Sequence, residues 1–139
     1  MTSYAKLYQR CLAKIEDPTL AMLSDDELQN VLHGYLVSAI AKHRICEHDL
    51  SDRDDELMQF NVTLSDIELE IIGLLMAREW VSQQLLSVTN TLQVFSGKET
   101  NYYSQAAHLK ELQALDDKYR LEAQQLSRDY TYANSDYFD

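Results

Sequence analysis

Glycine and proline are nearly missing from this 139-residue chain, which has three of the first and one of the second. Tight turns depend on both, so there is little material for a fold of many short strands. Cysteine is scarce as well. Cys11 and Cys46 are too few to staple a secreted scaffold, and the sequence shows neither a signal peptide nor an apolar run of about 18 residues. It reads as a soluble, intracellular, reduced protein with no membrane association. Basic residues are outnumbered, 12 Lys and Arg against 23 Asp and Glu, for a net charge of −11. Nucleic-acid affinity comes largely from counterions released by clustered cations. Here the cations are scattered, so DNA or RNA binding is not expected. The acidity confers solubility and would also make a surface that nucleic acid passes without sticking.

What the chain does have is helix. Its organising stretch runs from Phe60 to Phe95. Ser65 with Glu68 three residues later forms a capping box, Leu64 and Leu69 fit a hydrophobic staple, and Asp66, Glu68 and Glu70 put negative charge at the positive end of the helix dipole. Ile67, Ile71, Leu74, Val81, Leu85, Val88 and Leu92 then recur at helical spacing for about seven turns, interrupted only by Arg78. A second apolar line, Leu69, Ile72, Met76 and Trp80, lies on nearly the opposite side. A helix apolar on two sides is buried on two sides. This predicts that one side packs on its own domain and the other, the line of Leu69, Ile72, Met76 and Trp80, contacts a neighbouring subunit.

Around it the chain predicts a helix over 3–15, ended by Pro18. A connector over Thr19–Leu23 follows, then a helix from the Ser24–Glu27 capping box to His43. Gly34 within that helix implies either close packing or no constraint. Residues 46–59 read as a polar loop or a short helix near Asp54. The central helix is expected to break near Asn90, with a turn at Ser96–Lys98. The last helix begins near Ser104 and carries Leu109, Leu112, Leu115, Tyr119, Ala123, Leu126 and Tyr130. No strand alternation is visible. The expected fold is an all-α bundle of about four helices, two of them long, over residues 1–130, with an extended C-terminal tail over 131–139.

Chemistry is harder to find. His43, Cys46, His48 and Asp49 are compactly spaced, but a structural zinc site needs a second ligand pair, for which only Cys11 and His33 have fitting chemistry. A helix end followed by a polar loop accounts for them without metal. Asp49, Asp52, Asp54, Asp55 and Glu56 lack the glycine and the terminal glutamate of a calcium loop. No nucleophile stands beside a base, and no carboxylate pair falls on a buried face. No catalytic activity, metal or cofactor is expected. The tyrosines are more informative: six of the nine fall from Tyr102 onward. Tyr130, Tyr132, Tyr137 and Phe138 crowd the C-terminal end, where aromatic rings suit either a fold-back over the bundle or docking on another protein.

The run Phe60–Trp80, with its Phe-Asn, its Asp-Ile-Glu, its Glu-Ile-Ile and its Leu-Met-x-x-x-Trp, resembles a class of tailed-bacteriophage head–tail connector (neck or adaptor) proteins. The segments Tyr103–Leu112 and Arg128–Tyr132 fit the same class, and the similarity spans roughly residues 24–132 through the order of these motifs. The resemblance implies a small helical virion protein, assembled in the host cytoplasm as a homo-oligomeric ring of twelve copies beneath the portal. Such a ring extends the DNA channel, lets DNA pass without specific binding and offers a platform to the downstream neck or tail-completion protein. An extended terminal segment often grips the portal in such proteins. The residues expected to do so here are Tyr130, Tyr132, Tyr137 and Phe138. Two alternatives stay open: an acidic helical inhibitor or DNA mimic, and another neck or tail-completion component.

Overall fold

The computed structural model describes residues 1–15, 17–43, 49–94 and 99–133. Five helices make up most of them: α1 Tyr4–Leu12, α2 Pro18–Ala21, α3 Asp25–Lys42, α4 Asp66–Val94 and α5 Glu99–Ala133. The architecture is all-α, as the composition predicts.

The starts of α1 to α4 follow their caps. The Ser65 backbone N–H and hydroxyl both donate to Glu68 Oε1, at 3.1 and 2.9 Å, and α4 begins at the next residue. Ser24 donates to Glu27 Oε1 at 2.9 Å and accepts from the Glu27 N–H at 3.2 Å, opening α3. These reciprocal pairs satisfy amide donors that a helix start leaves without partners. Ser3 accepts from Ala5 N–H and starts α1. Asp17 accepts from Thr19 N–H at 3.0 Å and starts α2, with Pro18 in the first turn, where its missing N–H costs nothing.

α4 sits at the centre, with α1, α3 and α5 packed on it. From Glu68 to Ala77 every residue except Glu70 and Leu75 is buried. α1 crosses it closely at Gly73. A Cβ added at Gly73 would lie 2.8 Å from Arg10 Cβ and 3.7 Å from the Cys11 amide nitrogen, so only glycine lets the two helices meet there. At Gly34 nothing lies within 4 Å of an added Cβ, so that position is unconstrained. Polar links lock the crossings. Arg10 and Lys14 of the first segment both bind Glu70, Lys42 of α3 binds Glu79, and Arg78 of α4 binds Asp116 of α5 at 3.0 Å. Trp80 Nε1 donates to Asp17 at 3.0 Å, and the Tyr119 hydroxyl donates to the Lys14 carbonyl.

Several boundaries differ from the sequence expectation. α1 stops at Leu12 rather than near residue 15. α4 continues through Asn90 to Val94 without a break. α5 starts at Glu99, five residues before Ser104, and runs to Ala133, so residues 131–133 belong to the helix rather than to an extended tail. Residues 134–139 lie outside the described residues.

A small sheet was not expected. β1 (Thr2–Ser3), β2 (Arg53–Asp54) and β3 (Gln59–Phe60) pair antiparallel in the order β1-β3-β2, with Thr2 opposite Phe60 and Arg53 opposite Phe60. The polar stretch before α4 is therefore a hairpin, turned at Asp55–Met58, with Met58 at φ 56°. The sheet ties the start of α1 to the start of α4. Tyr4 N–H donates to Met58 O, Leu64 N–H donates to the buried Thr2 hydroxyl at 2.9 Å, and the rings of Tyr4 and Phe60 meet edge-on at 5.1 Å.

Candidate functional site

The second apolar line of α4 is interior. Leu69, Ile72, Met76 and Trp80 are all buried within the single chain, and Ile72 and Met76 expose nothing. The expectation that this line meets a neighbouring subunit is thereby corrected. α1, α3 and α5 pack on α4, and these four side chains are covered within the one chain.

The four aspartates of the acidic stretch are occupied as hydrogen-bond acceptors. Asp54 accepts from the Glu56 and Leu57 N–H groups, Asp49 from the Ser51 N–H, Asp52 from Asn61 Nδ2, and Asp55 from the Tyr4 hydroxyl at 2.6 Å. The bonds to Asp49 and Asp54 are local ones that acidic residues make in turns, while those to Asp52 and Asp55 tie the stretch to Asn61 and to the start of α1. Among the described residues no group of three or more His, Cys, Asp or Glu is placed to hold a metal ion. Of the residues considered for zinc, Cys46 and His48 lie outside the described residues. Cys11 is in the core, where burial pushes its thiol up to about 12. His33 packs its ring on Tyr4 at 5.7 Å, and its Nδ1 has no hydrogen-bond partner among the described residues.

The aromatic group at the C-terminal end divides. Tyr130 is buried, with 4% of its surface exposed, at the end of the apolar stripe that also buries Leu112, Tyr119 and Ala123. Tyr132 points outward, 63% exposed. Tyr137 and Phe138 lie outside the described residues.

A groove of about 600 Å³ lies between the C-terminal end of α3, the first half of α4 and the last third of α5. It exists because α5 presents small residues there. Ala123, Ser127 and Thr131 recur every four positions and leave space opposite Ile71 and Leu75 of α4. Its rim carries Lys42, Arg78, Arg120 and Arg128, four of the 12 lysines and arginines in an acidic chain. Lys42 and Arg78 are ion-paired with Glu79 and Asp116. Among the described residues Arg120 makes a 3.5 Å contact with the exposed Asp117, and Arg128 donates to the neutral Gln125 carbonyl at 2.8 Å. His43 lines the same groove with its Nε2 buried and without a hydrogen-bond partner among the described residues. Burial pushes its pKa below the ordinary value of 6.5, against the pull of the nearby Glu68 carboxylate, so the ring is neutral at physiological pH.

Sequence reading did not find this groove, because its cations come from three different helices. The part that was legible is Arg120-x-x-x-Gln124-x-x-x-Arg128, which places two guanidinium groups on one face of the last helix beside a row of small residues. The groove holds no nucleophile paired with a base. What it offers is apolar contact framed by positive charge, suited to a segment carrying carboxylates and rings.

No helix of the described residues is long and apolar enough to cross a membrane. Compared with protein-family profiles, curated proteins and solved structures, the chain shows no match.

Proposed function

We propose that this chain is a structural virion protein, a head–tail connector that forms a ring under the portal, extends the DNA channel and offers a platform to the next neck component. The observation that favours this reading is the shape of its resources. Its largest apolar surfaces are consumed inside one small helical subunit. α5 meanwhile continues past the core to Ala133 with Tyr132 exposed, directly before a segment carrying Tyr137 and Phe138.

In this reading Tyr132, Tyr137 and Phe138 fasten the connector to the portal, while Tyr130 anchors the helix end from inside. Contacts between copies fall to apolar residues left outside, of which Leu86 on α4 and Leu121 on α5 are 64% and 54% exposed. The net charge of −11 suits a channel wall from which DNA is repelled rather than held.

Co-sedimentation with a portal ring tests the proposal. The full chain should travel with the portal, and a chain lacking residues 134–139 should stay behind with its helical content unchanged. A truncated chain that binds as tightly as the full one would move the docking surface elsewhere. The acidic composition also fits a second reading, an inhibitor or DNA mimic. That protein would be a monomer or dimer indifferent to the portal, and the mass of the purified chain with and without portal separates the two.

A further inference from the structure

The segment that carries β1, α1 and α2 is seated by residues far along the chain. The Thr2 hydroxyl accepts from Leu64 N–H at 2.9 Å, and Arg10 pairs with Glu70 at 2.8 Å where α1 crosses α4 at Gly73. Tyr119 donates to the Lys14 carbonyl, and Trp80 Nε1 donates to Asp17 at 3.0 Å. α3 adds the ring of His33, 5.7 Å from that of Tyr4. None of these contacts depends on which copy of the chain supplies the segment.

The joint that ties this segment to the rest is short. Met22, which closes α2, already has helical dihedrals, φ −87° and ψ −10°, and the Leu23 N–H still donates to the Leu20 carbonyl at 3.3 Å. α3 takes over at once, with the Leu28 N–H on the Ser24 carbonyl at 2.9 Å. Between them Ser24 is extended, with ψ 161°, although its φ of −65° is already that of a helix. Turning Leu23 and Ser24 into the helical region joins α2 and α3 into one helix from Pro18 to Lys42 and swings the N-terminal segment away from its own α4. Pro18 does not oppose this, because it stays in the first turn. What keeps the joint bent is the Ser24 cap, together with Asp25, Asp26 and Glu27 at the positive end of the α3 dipole. We propose that Leu23 and Ser24 form a hinge through which two copies of the chain exchange their N-terminal segments, each seated on the other's α4.

A second copy is the one occupant that brings the same helix, the same Arg10 and the same strand register to the seat, so the exchange is self-complementary. A segment tethered beside its own seat sees it at an effective concentration in the millimolar range. The closed form therefore prevails in dilute solution, and exchange sets in where chains fold together at comparable concentration. The proposal stands independently of the connector reading. In a ring, the same exchange would tie neighbouring copies together.

Co-refolding of cysteine variants of the full chain tests the proposal. In a Cys46→Ser background, one chain carries Ser3→Cys and another Gln59→Cys, positions opposite each other in the antiparallel register and so within disulfide reach. Refolded together at millimolar concentration and oxidised after dilution, the two chains should give a disulfide-linked heterodimer. Its yield should be at least about fivefold that of a control pair in which Glu122→Cys, exposed on α5, replaces Gln59→Cys. A single chain with both Ser3→Cys and Gln59→Cys, refolded at micromolar concentration, should close within itself. The hinge is tested by two further changes, at a chain concentration where the parent yield is low. Ser24→Ala removes the cap of the bent form and suits a helix interior, so it should raise the heterodimer about fivefold or more. Ser24→Gly keeps most of the capping preference but disfavours the joined helix, so it should leave the yield at or below the parent level. A heterodimer no more abundant than the control overturns the exchange, and a double variant that fails to close overturns the seating beneath it. Equal yields from Ser24→Ala and Ser24→Gly would refute the hinge.

Discussion

Gly73→Ala and Gly34→Ala are the same chemical change in two long helices, and the structure predicts a gain in stability at Gly34 alone. Replacing a helix-interior glycine with alanine ordinarily stabilises by about 1 kcal/mol, by reducing the freedom of the unfolded chain. At Gly34 nothing lies within 4 Å of the added methyl, so that full gain of about 1 kcal/mol should appear. At Gly73 the methyl would arrive 2.8 Å from Arg10 Cβ and 3.5 Å from the Arg10 carbonyl carbon. Neither atom is the far end of a flexible side chain, so α1 itself must move off α4. Forcing a methyl into a filled interior costs about 1–3 kcal/mol, and the strain is compounded by loosening Arg10 and Lys14 from Glu70. The propensity gain is cancelled or exceeded, for a net change between about zero and −2 kcal/mol. Urea and thermal unfolding of the two variants measure the difference directly. A 1 kcal/mol change corresponds to about 3–5 °C in Tm for a chain of this size. Should Gly73→Ala raise Tm as much as Gly34→Ala does, α1 does not cross α4 at that point and the described core is wrong there.

Met76→Ala removes a fully buried side chain, and should cost about 2–5 kcal/mol in urea unfolding, as expected of core rather than interface. Cys11 should be inert to a thiol reagent in the folded Cys46→Ser chain and react fully in denaturant, since burial raises its pKa to about 12. Stability should respond to pH in two windows. Burial alone would raise the Glu70 pKa, but hydrogen bonds and charge from Lys14 and Arg10 outweigh it and hold the group below its ordinary 4.5. Its contribution is therefore complete above pH 4.5 and lost as pH falls through the folded value, and the stability cost of Glu70→Gln should shrink over the same range. His43, depressed below 6.5, makes the fold lose stability as pH drops beneath 6.5, and His43→Gln should flatten that slope in chemical denaturation curves.

The helices that were legible in the sequence are those whose starts are written in side chains. Ser65 with Glu68 and Ser24 with Glu27 locate α4 and α3 to the residue, because capping is a local interaction between neighbours in sequence. The start of α5 was missed because Asn101, Tyr102 and Tyr103 carry no helical period, although the helix runs through them. The strands were missed for a simpler reason: each is two residues long, too short for any alternation to register. The error over Leu69, Ile72, Met76 and Trp80 is of another kind. Periodicity reports that a face is covered but not by what, and α1 and α3 cover it from within the chain. The groove is hardest to read in advance, since Lys42, Arg78, Arg120 and Arg128 meet only once three helices are in place. Of the two C-terminal aromatic residues that are described, Tyr132 is outside and Tyr130 is inside.

The seating of α1 has a consequence for synthesis. Its buried residues are Tyr4, Leu7, Tyr8 and Cys11, and apart from the contact between the Tyr4 and Tyr8 rings the partners that seat this segment lie far along the chain. Thr2 waits for Phe60, Arg10 for Glu70, and the Lys14 carbonyl for the hydroxyl of Tyr119, separated from it by 105 positions. At about 5–20 residues per second, the ribosome takes several seconds to deliver Glu70 after Arg10, and longer to deliver Tyr119. A nine-residue helix is too short to hold itself together in water during that interval. The segment therefore emerges early and is seated late, an apolar stretch left bare on every nascent chain until α4 has been made to receive it.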